Sequence, residues 1–158
     1  MIKKYEPIHR ERCLEIFESN CPKFFDITEK ESLLHWLDGQ ENNQNAYENT
    51  NTEYYYVIMN ESEIIGCGGF YTMKDELCAK ISWGMIDRNF HKKGFGRTLS
   101  LFRLKEIQEK YPNHVIALDT SQHTFPFYEK LGFITKKITP NSYGIGLDRY
   151  DMIMKAKQ

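Results

Sequence analysis

Apolar and polar positions follow two different periods along this chain, and the points where the period changes mark its elements. Met1 to Tyr5 reads as a short first strand. From Glu11 to Ser19 the apolar positions Cys13, Leu14, Ile16 and Phe17 share one helical face. Pro22 interrupts. Thr28 then precedes Glu31 at capping-box spacing, and Leu33, Leu34, Trp36 and Leu37 continue a second helix that ends near Gly39. Gln40 to Thr52 is polar and Asn-rich and reads as a loop.

Three extended segments follow. Glu53 to Met59 is aromatic and β-branched, Asn60-Glu61-Ser62 turns the chain, and Glu63 to Met73 is a glycine-bearing strand. After the turn at Lys74-Asp75-Glu76, Leu77 to Ile86 carries Leu77, Ala79, Ile81, Trp83 and Met85 at strand spacing, which predicts one common face and an antiparallel meander. The helical period returns from Gly94 to Tyr111, with Phe95, Leu99 and Phe102 along one stripe, widened by Leu101, Leu104 and Ile107. Pro112 stops that helix. His114 to Asp119 is a short strand, Ser121 to Leu131 a helix closed by Gly132, and Phe133 to Ile138 a strand. Pro140 to Leu147 reads as a loop and Asp148 to Lys155 as the last strand.

This order predicts an α/β (α+β) chain: a mixed, mostly antiparallel central sheet of about seven strands with about four helices against it, as one domain over 1–158. A chain of this length buries roughly two-thirds of its unfolded surface, enough for a core. The net charge of −1 excludes a broad basic face, so nucleic acid is not an expected partner. No apolar run nears the ~18 residues of a membrane span, and Met1-Ile2-Lys3-Lys4-Tyr5-Glu6 leads into no signal-peptide core. A cytoplasmic protein is the expectation. Cys13, Cys21, Cys67 and Cys78 form no C-x-x-C pair and have no His at zinc-ligand spacing. They are expected as free thiols, with no metal.

The chemistry concentrates where a strand gives way to a helix. His91-Lys92-Lys93-Gly94-Phe95-Gly96-Arg97 opens the long helix. A helix N-terminus leaves backbone N–H groups without partners, and its dipole favours an anion. Gly94 and Gly96 let a phosphate approach the backbone, while Lys92, Lys93 and Arg97 supply charge. A dinucleotide fingerprint fails at its third glycine, where Leu99 stands, and no P-loop pattern is present. The bland alternative is a solvated basic turn.

A second motif, Phe125-Pro126-Phe127-Tyr128-Glu129-Lys130-Leu131-Gly132-Phe133, changes the balance. Together with the loop it resembles the GNAT superfamily of N-acetyltransferases over essentially the whole chain. The family's loop reads Gln/Arg-x-x-Gly-x-Gly/Ala, with His91 departing at the first position, and its later helix commonly ends Tyr-x-x-x-Gly-Phe, met by Tyr128, Gly132 and Phe133.

The resemblance implies an acetyl-coenzyme A-dependent transfer to a primary amine by direct attack in a ternary complex. It implies that the fourth and fifth strands splay around the pantetheine arm, with backbone near Met85 and Ile86 binding the arm. It implies that His91, Lys92, Lys93, Gly94, Phe95, Gly96, Arg97 and Thr98 cradle the pyrophosphate, His91 by its backbone. Tyr128 matches the family's general acid for the leaving thiolate, and a tyrosine hydroxyl, titrating near ~10, can donate at neutral pH. Where the family often has a cofactor-holding Asn ahead of this tyrosine, the chain has Ser121. Glu31, Glu53 and Asp119 are the candidates for a general base, beside a water chain. Phe24, Phe25, Tyr71, Trp83 and Tyr143 are expected around the acceptor, suiting an apolar or aromatic amine, although a polyamine, amino acid, antibiotic or protein N-terminus stays open. Related folds often form homodimers. The competing reading is a non-catalytic acyl-coenzyme A-binding module.

Overall fold

The computed structural model describes residues 1–154. Its strands are β1 (Ile2–Lys4), β2 (Thr50–Asn60), β3 (Glu63–Met73), β4 (Cys78–Ile86), β5 (Val115–Thr120), β6 (Phe133–Gly144) and β7 (Leu147–Met154). Its α-helices are α1 (Arg10–Ser19), α2 (Lys30–Asn42), α3 (Phe95–Lys110) and α4 (Phe125–Lys130). The strands form one sheet in the order β1-β2-β3-β4-β5-β7-β6. The expected meander is present, because β2, β3 and β4 pair antiparallel. Among the described residues only the neighbours β4 and β5 pair parallel, and α3 supplies the crossover that such a pair needs. No helix of the described residues is long and apolar enough to cross a membrane.

Each face of the sheet carries its own core. On one side Ile16 and Phe17 of α1 and Leu33, Trp36 and Leu37 of α2 pack on Tyr55, Val57, Cys67 and Met85. On the other, Leu104 and Ile107 of α3 and Tyr128 of α4 pack on Phe70, Ile81, Ile116, Leu118 and Met152. Full burial of a large apolar side chain contributes about 1.5–3 kcal/mol.

Several boundaries differ from the sequence reading. The box ahead of α2 is set by Asp26 and Glu29, not by Thr28 and Glu31: Asp26 accepts from the Thr28 N–H and Glu29 from the Asp26 N–H. Asp26-x-x-Glu29 and Thr28-x-x-Glu31 both fit the pattern, and the earlier one captures the chain entry. The helix also runs past Gly39 to Asn42, where Asn43 takes a left-handed conformation and closes it. The turn from Ser121 to Thr124 is not helical, so α4 is shorter than its sequence pattern. Pro140 to Gly144 continues β6 as an arm that pairs back to β7, and only the tip at Ile145-Gly146 turns. Lys155 lies outside the described residues.

The expected common face of β4 breaks in two. Leu77 is exposed and precedes the strand. Cys67 pairs with Met85 and Gly69 with Ser82, so Trp83 and Gly84 together oppose Gly68. That is a β-bulge, with Trp83 at φ 48°. The extra residue reverses the alternation. Ala79 and Ile81 face α3 and α4, whereas Met85, with Trp83 packed beside it, faces α1 and α2. On α3 the buried stripe is Leu99, Ser100, Arg103, Leu104 and Ile107, and Leu101 points outward.

Candidate active site

The parallel ladder between β4 and β5 holds for three pairs only, ending at Lys80 and Ala117. Beyond it β5 keeps pairing with β7, β4 keeps pairing with β3, and the two strands diverge. A cleft of about 750 Å³ fills the gap, within the ~300–1,000 Å³ of small-molecule sites. Phe25, Tyr71 and Trp83 line it from the side of α1 and α2, and Ile81, Leu118 and Tyr128 from the side of α3 and α4. The opening therefore passes through the sheet.

At one end stands the N-terminus of α3. Gly94 is its N-cap at φ 87°, and a Cβ there would meet nothing within 4 Å, so the backbone is open to an approaching group. The following N–H groups begin the helix and lack intrahelical acceptors. His91, Lys92, Gly94, Gly96 and Arg97 line the cleft, which fits a bound diphosphate. The other expected loop residues do not line it. Lys93 sits 5.3 Å from the Phe90 ring centroid, Phe95 packs against Phe90, and the Thr98 hydroxyl donates to the Gly94 carbonyl. The His91 ring donates to the Ile86 carbonyl at 2.8 Å. Asn20, on the chain after α1, donates to the same oxygen at 2.8 Å. That carbonyl is thus committed within the fold. Met85 and Ile86 both line the cleft.

Tyr128 lines the middle, buried edge-on against Phe127 and Phe133. Ser121 is also buried in the wall, and its hydroxyl accepts the His123 N–H, which shapes the turn into α4.

The other end is aromatic and acidic. Phe25, Tyr71, Trp83 and Tyr143 line the cleft here, whereas Phe24, expected with them, lines it at the loop end, edge-on to the His91 ring at 5.2 Å. Phe25 stacks on Trp83 at 6.0 Å, and the Trp83 ring N–H donates to the Tyr47 hydroxyl. Asp119 accepts a short hydrogen bond from Tyr143 and pairs with Arg149 at 3.4 Å. Burial, then the Asp119 charge, pushes the Tyr143 hydroxyl well above the ordinary tyrosine range.

Of the three base candidates only Asp119 reaches the cleft. Glu31 is exposed on α2. Glu53 accepts from the Ala46 and Tyr47 N–H groups and the Thr50 hydroxyl, and so pins the loop before β2. The sequence reading missed Glu29, which does line the cleft. Burial pushes its carboxyl up to about 7; the Asp26 N–H opposes the shift, and the charges of Asp26 and Asp119 add to it. A carboxyl held there exchanges protons at neutral pH. Its one sequence signal was the Asp26-x-x-Glu29 spacing, which reads as a cap.

The family description "Acetyltransferase (GNAT) domain" matches residues 26–156. Among curated proteins none matches the chain. Its fold is similar to that of a ribosomal-protein-alanine N-acetyltransferase from Brucella melitensis, at 15% identity and TM-score 0.76, over 99% of each chain. The ribosomal-protein-S18-alanine N-acetyltransferase of Escherichia coli is similar at 17% identity and TM-score 0.71, over 100% of this chain and 96% of that one. A Bacillus subtilis acetyltransferase in complex with CoA is similar at 16% identity and TM-score 0.71, over 99% and 98%.

Proposed function

Because the chain belongs to the GNAT acetyltransferase family, we propose that it moves an acetyl group from acetyl-coenzyme A to a primary amine by direct attack. The observation that carries this reading is the through-sheet cleft. One space joins an anion-binding helix terminus, Tyr128 and an aromatic end bearing Glu29 and Asp119.

In this reading the first-turn N–H groups of α3, with Lys92 and Arg97, hold the pyrophosphate. The pantetheine arm lies in the gap where β4 and β5 part. Its backbone partners come from the stretch Ile81–Met85 and not from the Ile86 carbonyl, which Asn20 and His91 occupy. The amine enters from the side of α1 and α2, loses a proton to Glu29 and attacks the acetyl carbon. The C–S bond then breaks and the thiolate takes the proton of Tyr128. Deprotonation and protonation thus fall to two groups on opposite walls.

The acceptor end also speaks to the amine. The carboxyl-bearing residues lining the cleft are Glu29 and Asp119, and both sit at this end among aromatic rings. An ammonium group on an apolar stem suits rings and carboxylates alike. An α-carboxylate beside the amine would meet like charge. Two of the similar proteins are named N-acetyltransferases, which supports an amine acceptor.

The test is thiol release from acetyl-coenzyme A with a panel of alkyl- and arylalkylamines, diamines, amino acids and peptides. Turnover is expected to be fastest with carboxylate-free amines. Gly94→Glu, which strains the cap and sets a negative charge at the helix terminus, is expected to weaken coenzyme A binding at least about tenfold. Unchanged coenzyme A affinity in that variant would sink the loop assignment. Tight binding without turnover on any amine would leave the acyl-coenzyme A-binding module instead.

A further inference from the structure

We infer that Arg103 is a fixed cation of the acyl-transfer site, aimed at the negative charge that develops on the thioester carbonyl oxygen. The inference rests on the proposed acetyl transfer and adds a residue that neither loop nor tyrosine motif contains.

Arg103 sits in the middle of α3 with 1% of its surface exposed. An arginine so deep ordinarily pairs with a carboxylate, since an uncompensated buried charge is expensive. Among the described residues none pairs with it. One terminal nitrogen donates to the Gly69 carbonyl at 3.4 Å and the other to the Ser100 hydroxyl at 3.2 Å, both long. Its Nε–H finds no described acceptor. A group with five N–H donors is therefore left with two weak contacts.

The fold nevertheless clears space for it. A Cβ on Gly84 would stand 2.7 and 2.8 Å from the two terminal nitrogens, and one on Gly68 would stand 3.2 Å from the guanidinium carbon. Gly68 and Gly84 oppose each other across the bulge. No side chain from either position comes between the guanidinium and the bulged backbone, and Arg103 lines the cleft there. From the opposite face the Tyr55 hydroxyl donates to the Trp83 carbonyl and fixes the same bulge.

The chemistry explains a cation without an anion. As the amine attacks, the carbonyl π pair moves onto oxygen, giving an oxyanion that exists only between substrate and product. Collapse restores the carbonyl, breaks the C–S bond and passes the Tyr128 proton to sulfur. A pre-set charge in a dry site stabilises that oxyanion with no reorganisation of its own. A resident carboxylate would cancel it. The donor's acyl end, threaded between β4 and β5, comes to the bulge on the side of α3 and Tyr128.

The test compares wild type with Arg103→Met and Arg103→Lys. Each is loaded with carbonyl-labelled acetyl-coenzyme A and read by infrared spectroscopy, then assayed with the best amine of the panel. On wild type the carbonyl band is expected below its frequency in water, and in Arg103→Met it should move back toward the free value. With it kcat should fall about a hundredfold, while coenzyme A affinity and melting temperature hold. Arg103→Lys should lie between. An unmoved band with kcat within about threefold of wild type overturns the inference. So does a loss confined to KM and coenzyme A affinity, or failure of both variants to fold, since each marks a buttress of the bulge. Faster wild-type turnover of a donor whose acyl chain ends in a carboxylate, abolished in Arg103→Met, would assign the guanidinium to that carboxylate instead. Wild type that binds no acetyl-coenzyme A defeats the functional reading and this one together. Wild type with a shifted band but no amine turnover defeats the functional reading alone.

Discussion

Glu29 and Tyr128 meet one cavity from different elements, and their packing separates what each can do. Tyr128→Phe keeps the ring between Phe127 and Phe133 and removes only the hydroxyl. Under the proposed mechanism kcat should fall by about 10²-fold or more while coenzyme A affinity is unchanged, as measured by stopped turnover and calorimetry. For Glu29 the direction of titration decides the outcome. Burial raises its carboxyl to about 7, so as a base it becomes competent as pH rises through that value. Wild-type kcat/KM should climb through about pH 7, and Glu29→Gln should lose that limb. The same shift costs folded-state stability above the ordinary carboxylate range, most fully above pH 7. Melting curves should show Glu29→Gln gaining on wild type as pH increases. The sequence announced Gly94 and Tyr128 because backbone shape and motif spacing are local. It concealed Glu29 and Arg103 because their meaning is burial: a glutamate at a helix entry reads as a cap, and an arginine in mid-helix reads as solvated.

Among elements, the segment from β4 to α3 is held from outside by Asp87. Its carboxylate accepts from Asn89 N–H at 2.9 Å and from Arg12 of α1 at 2.7 Å. Burial opposes its ionisation, yet those two donors hold its carboxyl below the usual range. Its stabilisation is present above the ordinary aspartate value and fades as pH drops through the lower folded one. Asp87→Ala should therefore cost about 1–3 kcal/mol in denaturant titrations at neutral pH, with the gap to wild type closing in acid. If the gap is constant down to strong acid, the ion pair is not its source. Helix and strand identity were legible here because the periods are local. The bulge was not, since one added residue leaves the alternating letters of β4 intact while turning Trp83 and Met85 to the other face. The β6 arm was hidden for the same kind of reason: Pro140, Asn141 and Gly144 carry turn chemistry, and only β7 beside them makes a strand.

For the whole molecule, the strand-helix order was enough to anticipate a mixed sheet, because a meander pairs antiparallel while a strand-helix-strand unit such as β4-α3-β5 has the crossover that a parallel pair needs. The local periods alone do not show that the sheet is pierced; that expectation comes from the family resemblance of the loop and tyrosine motifs, and the β4–β5 ladder does end after three pairs. The parting of β4 and β5 is a passage with two doors, one at the basic loop and one among the aromatic rings. Neither traveller must wait for the other to vacate its threshold. Reciprocal rate plots should consequently intersect and not run parallel. Spent coenzyme should compete with its acetylated form while leaving the amine's access noncompetitively affected.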